Sequence, residues 1–337
     1  MGGQEKLAVQ IGIEGRFRER KIYNLAPIGV GIQFGVHNAD VHTTLRAVVT
    51  RVFYHKTGDG GWDRPFRPTY KTFVARCGNA RRTLLSHTRM VTPLTPERFL
   101  EAYTGRKRRL YEKALASLSI EPLSCKDAYV QSFVKAEKLN LTNKPDPDPR
   151  IIQPRNPRYN LRLGVYIKAC EHVIYKAIDE MWGGRTVMKG LNADERGDAV
   201  AEAWRKYKDP VAVGLDAERF DQHVSQAGLR YEHSFYHAIF GNDRLLRWLL
   251  MLQCITRGFC RCFDGIIKYI VNGGRCSGDM NTSLGNIILM TCMMWSFCVA
   301  FFLRCSLIND GDDCVMIMER SDLGAFVNNV EGWFAEL

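Results

Sequence analysis

Apolar and polar positions along this chain alternate in two periods, near 3.6 for helices and 2 for strands. VHTTLRAVVTRVFYH (41–55) carries the helical period, and GDGGWDRPFRP (58–68) interrupts it as a loop. GRKRRLYEKALASL (105–118) opens a further helix with a basic cluster. NKPDPDPRIIQPRNPR (143–158) holds five prolines, each without an amide donor. It reads as a stiff extended loop with a short strand at RIIQ. LGVYIKACEHVIYKAIDEMWGG (163–184) predicts a helix stopped by two glycines, and AVAEAWRKYKD (199–209) another, stopped by Pro210.

VAVGLD (211–216) is apolar on both faces up to its final acid, which predicts a buried strand. Helices follow near 226–240 and 243–256, and FCRCFDGIIKYIVNG (259–273) predicts a hairpin turning at Asp264-Gly265. Residues 287–303 run seventeen positions without a charge. That is near the lower length limit of a membrane span, but the polar motifs on both sides favour a buried core helix. CSLIN and CVMIM then flank Asp310-Gly311-Asp312-Asp313 as a second hairpin.

Charge sharpens this outline. Of the net +11, residues 1–162 carry 29 Lys+Arg against 14 Asp+Glu, while residues 163–337 carry 18 against 22. A basic half joined to a mildly acidic one fits a polyanion held by the first and metal carboxylates gathered in the second. The eleven scattered cysteines make no disulfide framework and suit reduced thiols. Cys254, Cys260, Cys262 and Cys276 match no usual zinc spacing. His233 and His237 lack the Glu of an HExxH pattern and read as ordinary helix residues. MGGQEKLAVQ has no apolar signal-peptide core and matches a myristoylation site only at Gly2, because position 6 is Lys.

Four segments carry candidate chemistry. The hairpin tip sets Asp312 and Asp313 side by side, and adjacent carboxylates stay ionised most easily around a cation; Gly311 supplies the turn. Asp310 reads as a turn former, not a ligand. Asp216 ends a strand and Asp221 follows five residues later; beside the hairpin, Asp216 would face Asp312 and Asp313 with hard oxygen ligands. In GRCSGDMNTSLGN, Ser277-Gly278 is a flexible loop, and Thr282 and Asn286 lie one helical turn apart, with Asn281 or Thr282 as a plain helix cap in the bland reading. Lys135, Lys138, Lys144, Arg150 and Arg155 ride on the proline-braced stretch, where pre-ordered cations can hold a triphosphate.

In their order and spacing these segments resemble viral RNA-dependent RNA polymerases, most closely the tombusvirus family and its umbravirus-like relatives. DPRIIQPRNPRYNLRLGVYIK is similar to that family's cationic fingers motif, GLDAERFDQHVS to its first palm motif, CSGDMNTSLGN to its second and NDGDDCVMI to its third. VHTTLRAVVTRVF and GGRTVMKGLNADE also resemble family segments, so the likeness runs from about residue 25 onward.

The resemblance implies an α+β right-hand polymerase with an antiparallel palm sheet and helix-rich fingers. Residues 1–210 would form an N-terminal extension and fingers, 211–226 palm, 227–268 fingers and palm helices with the start of a hairpin, and 269–337 palm. Asp216, Asp312 and Asp313 would be catalytic and hold two Mg²⁺ ions, replaceable by Mn²⁺. Lys138, Arg150 and Arg155 would bind the NTP triphosphate. Asp221, Ser277, Gly278, Thr282 and Asn286 would recognise ribose or template. The implied reaction is attack of an RNA 3′-OH on the α-phosphorus of an NTP. Partners would be template RNA, nascent RNA, NTPs and viral or host replication factors, with no membrane span in this chain. The setting would be host cytoplasm, at membrane-associated replication complexes reached through other regions. Because the sequence stops 24 residues after Asp313, the thumb is expected to be missing and the chain alone to be inactive. A reverse transcriptase would share the three acids, but Asp221 with Asn286, and Gly311 in place of an aromatic residue, speak against it. The other alternative is a non-catalytic fragment that binds RNA or a host factor.

Overall fold

The computed structural model describes residues 4–12, 19–22 and 31–337. Gly2 and the start of the family resemblance near residue 25 lie outside them. The fold is mixed α+β, with helices packed around two principal sheets.

Pro157–Trp182 is the longest described helix, and its ends follow from its sequence. The Asn156 side chain accepts from the Arg158 amide, Pro157 sits where no amide partner is needed, and Gly183 closes the helix at φ +68°. The cap places its start six residues earlier than the apolar run at 163 predicts. The helix expected at 199–209 instead spans Ala193–Trp204, because Asn192 and Glu195 form a reciprocal capping box.

The apolar run expected at 287–303 is the helix Thr282–Ala300. It is long and apolar enough to cross a membrane, but here it lies inside the protein. It packs against Tyr70–Ser86, Gln226–Ile239 and strand Cys305–Asn309. Ile287, Ile288, Met290 and Met294 are completely buried, and each such side chain stabilises the fold by about 1.5–3 kcal/mol. A helix apolar all round is the expected solution when neighbours cover every face.

Two sheets position the candidate chemistry. One has five strands in the order Lys6–Ile11, Gly265–Asn272, Ile255–Arg261, Val130–Val134 and Ile151–Ile152. Its neighbours are antiparallel except Val130–Val134 and Ile255–Arg261, which run parallel. The other is a three-stranded antiparallel sheet, Cys305–Asn309, Asp313–Glu319 and Pro210–Asp216. Pro210–Asp216 is an edge strand, not the buried one its composition predicts. Val211, Val213 and Leu215 face the core, while Ala212, Gly214 and Asp216 are exposed. The missing neighbour on one side leaves small residues and an acid free to face solvent.

Candidate active site

The antiparallel register of the small sheet sets the geometry. Asp313 pairs with Asp216, Cys314 with Leu215 and Val315 with Gly214. Directly paired residues share one face of a sheet, so Asp216 and Asp313 project to the same side, with Asp312 beside them on the hairpin tip. All three are exposed. Slight desolvation, together with the charges of Asp312, Asp216 and Asp310, pushes the Asp313 carboxyl above its ordinary range. The Asp313 carboxyl thus lies within reach of the charges of both Asp216 and Asp312. Their oxygens are the hard donors that Mg²⁺ takes, so the donor set fits a divalent ion. Among the described residues, no three Asp, Glu, His or Cys side chains already close into an ion site.

The turn is rigidly held. Gly311 has φ +116°, which a side chain would disfavour. Its amide donates to Asn309 Oδ1 at 2.8 Å. Asn309 is completely buried and its Nδ2 donates to the Ile287 carbonyl and to Thr291 Oγ1. Its backbone pairs with Thr186 and Met188. The hairpin is thereby fixed to the apolar helix and to the segment after Gly184. The Asp310 carboxylate is engaged by Lys189 at 2.7 Å and Arg196 at 2.8 Å. Partial burial works against its charge, but those two cations outweigh it and hold the carboxyl below the usual range. Its turn-forming reading stands, and the two cations are a feature that composition alone does not reveal.

Asp221 lies on the short helix Phe220–His223 and meets Asn286, whose Nδ2 donates to Asp221 Oδ1 at 3.0 Å. Burial pushes the Asp221 carboxyl up, Asn286 and Arg275 pull it down, and Asp312 pushes it up again. The turn between Asp216 and Asp221 is anchored by Arg219, a non-glycine residue at φ +53°. Its guanidinium donates to the Thr50 carbonyl and to Asp148 Oδ2, each at 2.8 Å. Asp148 also receives Arg46, so the proline-rich stretch is tied to this turn.

Ser277-Gly278 is packed against that same stretch. Ser277 Oγ accepts from the Gln153 amide at 3.3 Å, and Gly278 bridges Pro154 in parallel register. A Cβ at position 278 would lie 2.5 Å from Pro154 Cα, so only glycine fits this approach. Neither expected cap acts as one. Asn281 occupies the cap position without a side-chain bond into the helix and instead contacts Glu232 and Gln253. The Thr282 hydroxyl donates to the Cys276 and Asp279 carbonyls, which staples the loop.

The three cations expected to meet a triphosphate are in different surroundings. Lys138 is exposed, with its ammonium 3.6 Å from the Phe34 ring centre. Arg150 is exposed and pairs loosely with Glu137 at 3.3 Å. Arg155 is inside the protein, only 3% exposed. Its guanidinium is engaged by Asp279, by the Ala128 carbonyl at 2.6 Å, and by Thr256 and Cys276. It is spent on joining Pro154-Arg155 to the loop after Ser277, and the structure offers it no path to a surface ligand.

A sequence model described as viral RNA dependent RNA polymerase matches residues 13–337. The chain belongs to that family. It is 44% identical over 321 residues to the RNA-directed RNA polymerase of Tobacco necrosis virus (strain A), covering 95% of this chain and 44% of the relative. It is 42% identical over 319 residues to that of Pothos latent virus (isolate Pigeonpea/India), covering 95% and 43%. It is 42% identical over 314 residues to that of Turnip crinkle virus, covering 93% and 40%. The tombusvirus likeness read from the motifs agrees with these relatives. This polymerase-family chain spans less than half the length of each of the three.

Proposed function

We propose that this chain supplies the fingers and palm of a right-hand RNA-dependent RNA polymerase, with the small sheet as part of its palm. The observation that carries the reading is the register that sets Asp216 opposite Asp313, next to Asp312 on a rigid turn. In this reading Asp216 and Asp312 are the main ligands of two Mg²⁺ ions, with Asp313 supporting. Bound there, the ions supply charge stabilisation for phosphoryl transfer and acidify the attacking hydroxyl. Asp221 and Asn286 present a carboxylate and an amide to the ribose 2′-OH of an NTP, so a deoxynucleotide leaves polar groups unpaired, at about 1–3 kcal/mol each. Lys138 and Arg150 hold the triphosphate. Arg155 serves as an internal strut, and Ser277-Gly278 and Thr282 hold the loop beside the sugar pocket. Template and product RNA lie along the basic N-terminal half, where contacts to phosphate carry no sequence information. Synthesis takes place in the host cytoplasm at membrane-associated complexes, with replication factors as further partners.

The test is Asp312→Ala in a polymerase of the relatives' full length that carries this chain. Nucleotide incorporation falls by about three orders of magnitude, while binding to RNA changes less than about twofold. Near-normal incorporation would refute the assignment. Equal incorporation of NTPs and 2′-deoxy-NTPs by the unmodified enzyme would refute the role of Asp221 and Asn286.

A further inference from the structure

Behind Asp221 and Asn286 lies a polar network inside an apolar core. Arg275 and Glu232 form an ion pair at 2.6 Å with both side chains fully buried. Arg275 Nε donates to Asn286 Oδ1 at 3.0 Å, and the Arg275 backbone amide donates to the Asp221 carbonyl at 2.7 Å. Asn286 uses its other end on Asp221. One residue therefore holds both members of the proposed sugar-reading pair, one through its side chain and the other through its backbone.

Glu232 is saturated in turn. Its carboxylate also accepts from Tyr236 Oη and Asn281 Nδ2, both at 2.7 Å, and Asn281 is held by Gln253. Burial opposes the charge of Glu232, but Arg275 and its other partners hold the carboxyl below its ordinary range. The helix backbone leaves room for the pair only because position 285 is glycine. A Cβ there would lie 2.4 Å from Glu232 Oε1 and 2.6 Å from Arg275 Nη2. Arg275 Nη1 is buried without a hydrogen-bond partner. Arg275 also lines a cavity of about 10 Å³ with Arg51, Gln153, Asp221 and Gln222, enough for about one water.

A buried ion pair is a poor source of net stability, since hydrophobic replacements commonly do as well. Its value lies in orientation. The Asn286 amide can be turned end for end with little change in shape, and only one orientation leaves Nδ2 facing Asp221. Arg275 Nε is a donor and must meet the amide oxygen, so it selects that orientation.

We propose that Arg275, held by Glu232, is a positioning residue for sugar selection: it fixes the amide orientation of Asn286 and thereby the carboxylate of Asp221. This rests on the proposed reading of Asp221 and Asn286 as the ribose contacts.

The experiment measures kcat/KM for an NTP and its 2′-deoxy counterpart on an RNA template, in a full-length polymerase carrying this chain. The first variant pairs Arg275→Met with Glu232→Gln, which removes both charges together. The second is Arg275→Lys, which retains a charge opposite Glu232 but has no Nε to reach Asn286. The preference for NTP is expected to fall about tenfold in each, mainly through tighter use of the deoxynucleotide. In an Asn286→Ala background the same changes are expected to move the ratio less than about twofold, because the residue they act through is gone. An unchanged ratio in a folded variant overturns the proposal, as does an equal loss in the Asn286→Ala background. Failure of both variants to fold would assign the pair to structure alone and overturn it too. A polymerase whose unmodified form shows no sugar preference instead removes the underlying reading, which separates the two failures.

Discussion

Arg155→Ala decides between two roles for one residue. As a triphosphate ligand, the truncated side chain would raise the KM for NTP and leave the fold alone. As the internal strut described above, it would strand Asp279, whose side chain is 2% exposed. It would also strand the Ala128 carbonyl, which accepts from Arg155 Nη1 at 2.6 Å. Removing one member of a buried pair costs about 3–5 kcal/mol. For 337 residues the entropy of unfolding is about 0.7 kcal/mol per degree, so the melting temperature should fall by about 4–7 °C. Circular dichroism melts of this chain alone suffice, since no catalysis is needed. Arg150→Ala is the control, because that side chain is 59% exposed and should move the midpoint by less than about 1 °C. A melting temperature for Arg155→Ala within a degree of the parent would refute the strut and return the residue to the surface role.

Further outcomes follow from the same structure. His233 is buried against Gln253 and burial lowers its pKa to about 4; the unfolded chain, near 6.5, therefore binds the extra proton first. Stability consequently falls as pH drops from 7 to 5, by about 2 kcal/mol from this group, and a His233→Gln variant should lose about 3 °C less over that range. Equal losses in the two proteins would count against it. Gly278→Ala pushes a methyl into Pro154 and should cost about 1–3 kcal/mol, read as faster protease cleavage within 143–158; an unchanged rate would contradict the close packing. Lys138→Ala and Arg150→Ala in the full-length polymerase should each raise the KM for NTP about tenfold with little change in kcat, and an unaltered KM would exclude them from the triphosphate site.

The sequence is most legible where chemistry and turn geometry coincide. Gly311 between two apolar runs specifies the hairpin, and the short apolar run up to Asp216 specifies a strand. Asn286 meets Asp221 as their motif positions imply. What could not be read depends on which neighbour each element finds. Nothing in VAVGLD says that its even positions face outward, since that is set by its place at a sheet edge. Arg155 and Arg150 are alike in a linear reading, and the bridges from Pro154 to Gly278 and from Arg155 to Val130 carry one inward. Glu232 and Arg275 leave a faint sign: an acid within the otherwise apolar face of Gln226–Ile239 needs a buried cation somewhere. Its partner, 43 positions away, cannot be identified from spacing.

The parallel pairing of Val130–Val134 with Ile255–Arg261 joins strands from the basic half and the acidic half into one sheet. The change of charge near residue 162 is thus no seam. On the ribosome the first half emerges without its partner strands, and its sheet cannot close until the residues near 270 have been made. Severing the chain at that charge boundary should yield two insoluble pieces rather than two independent modules.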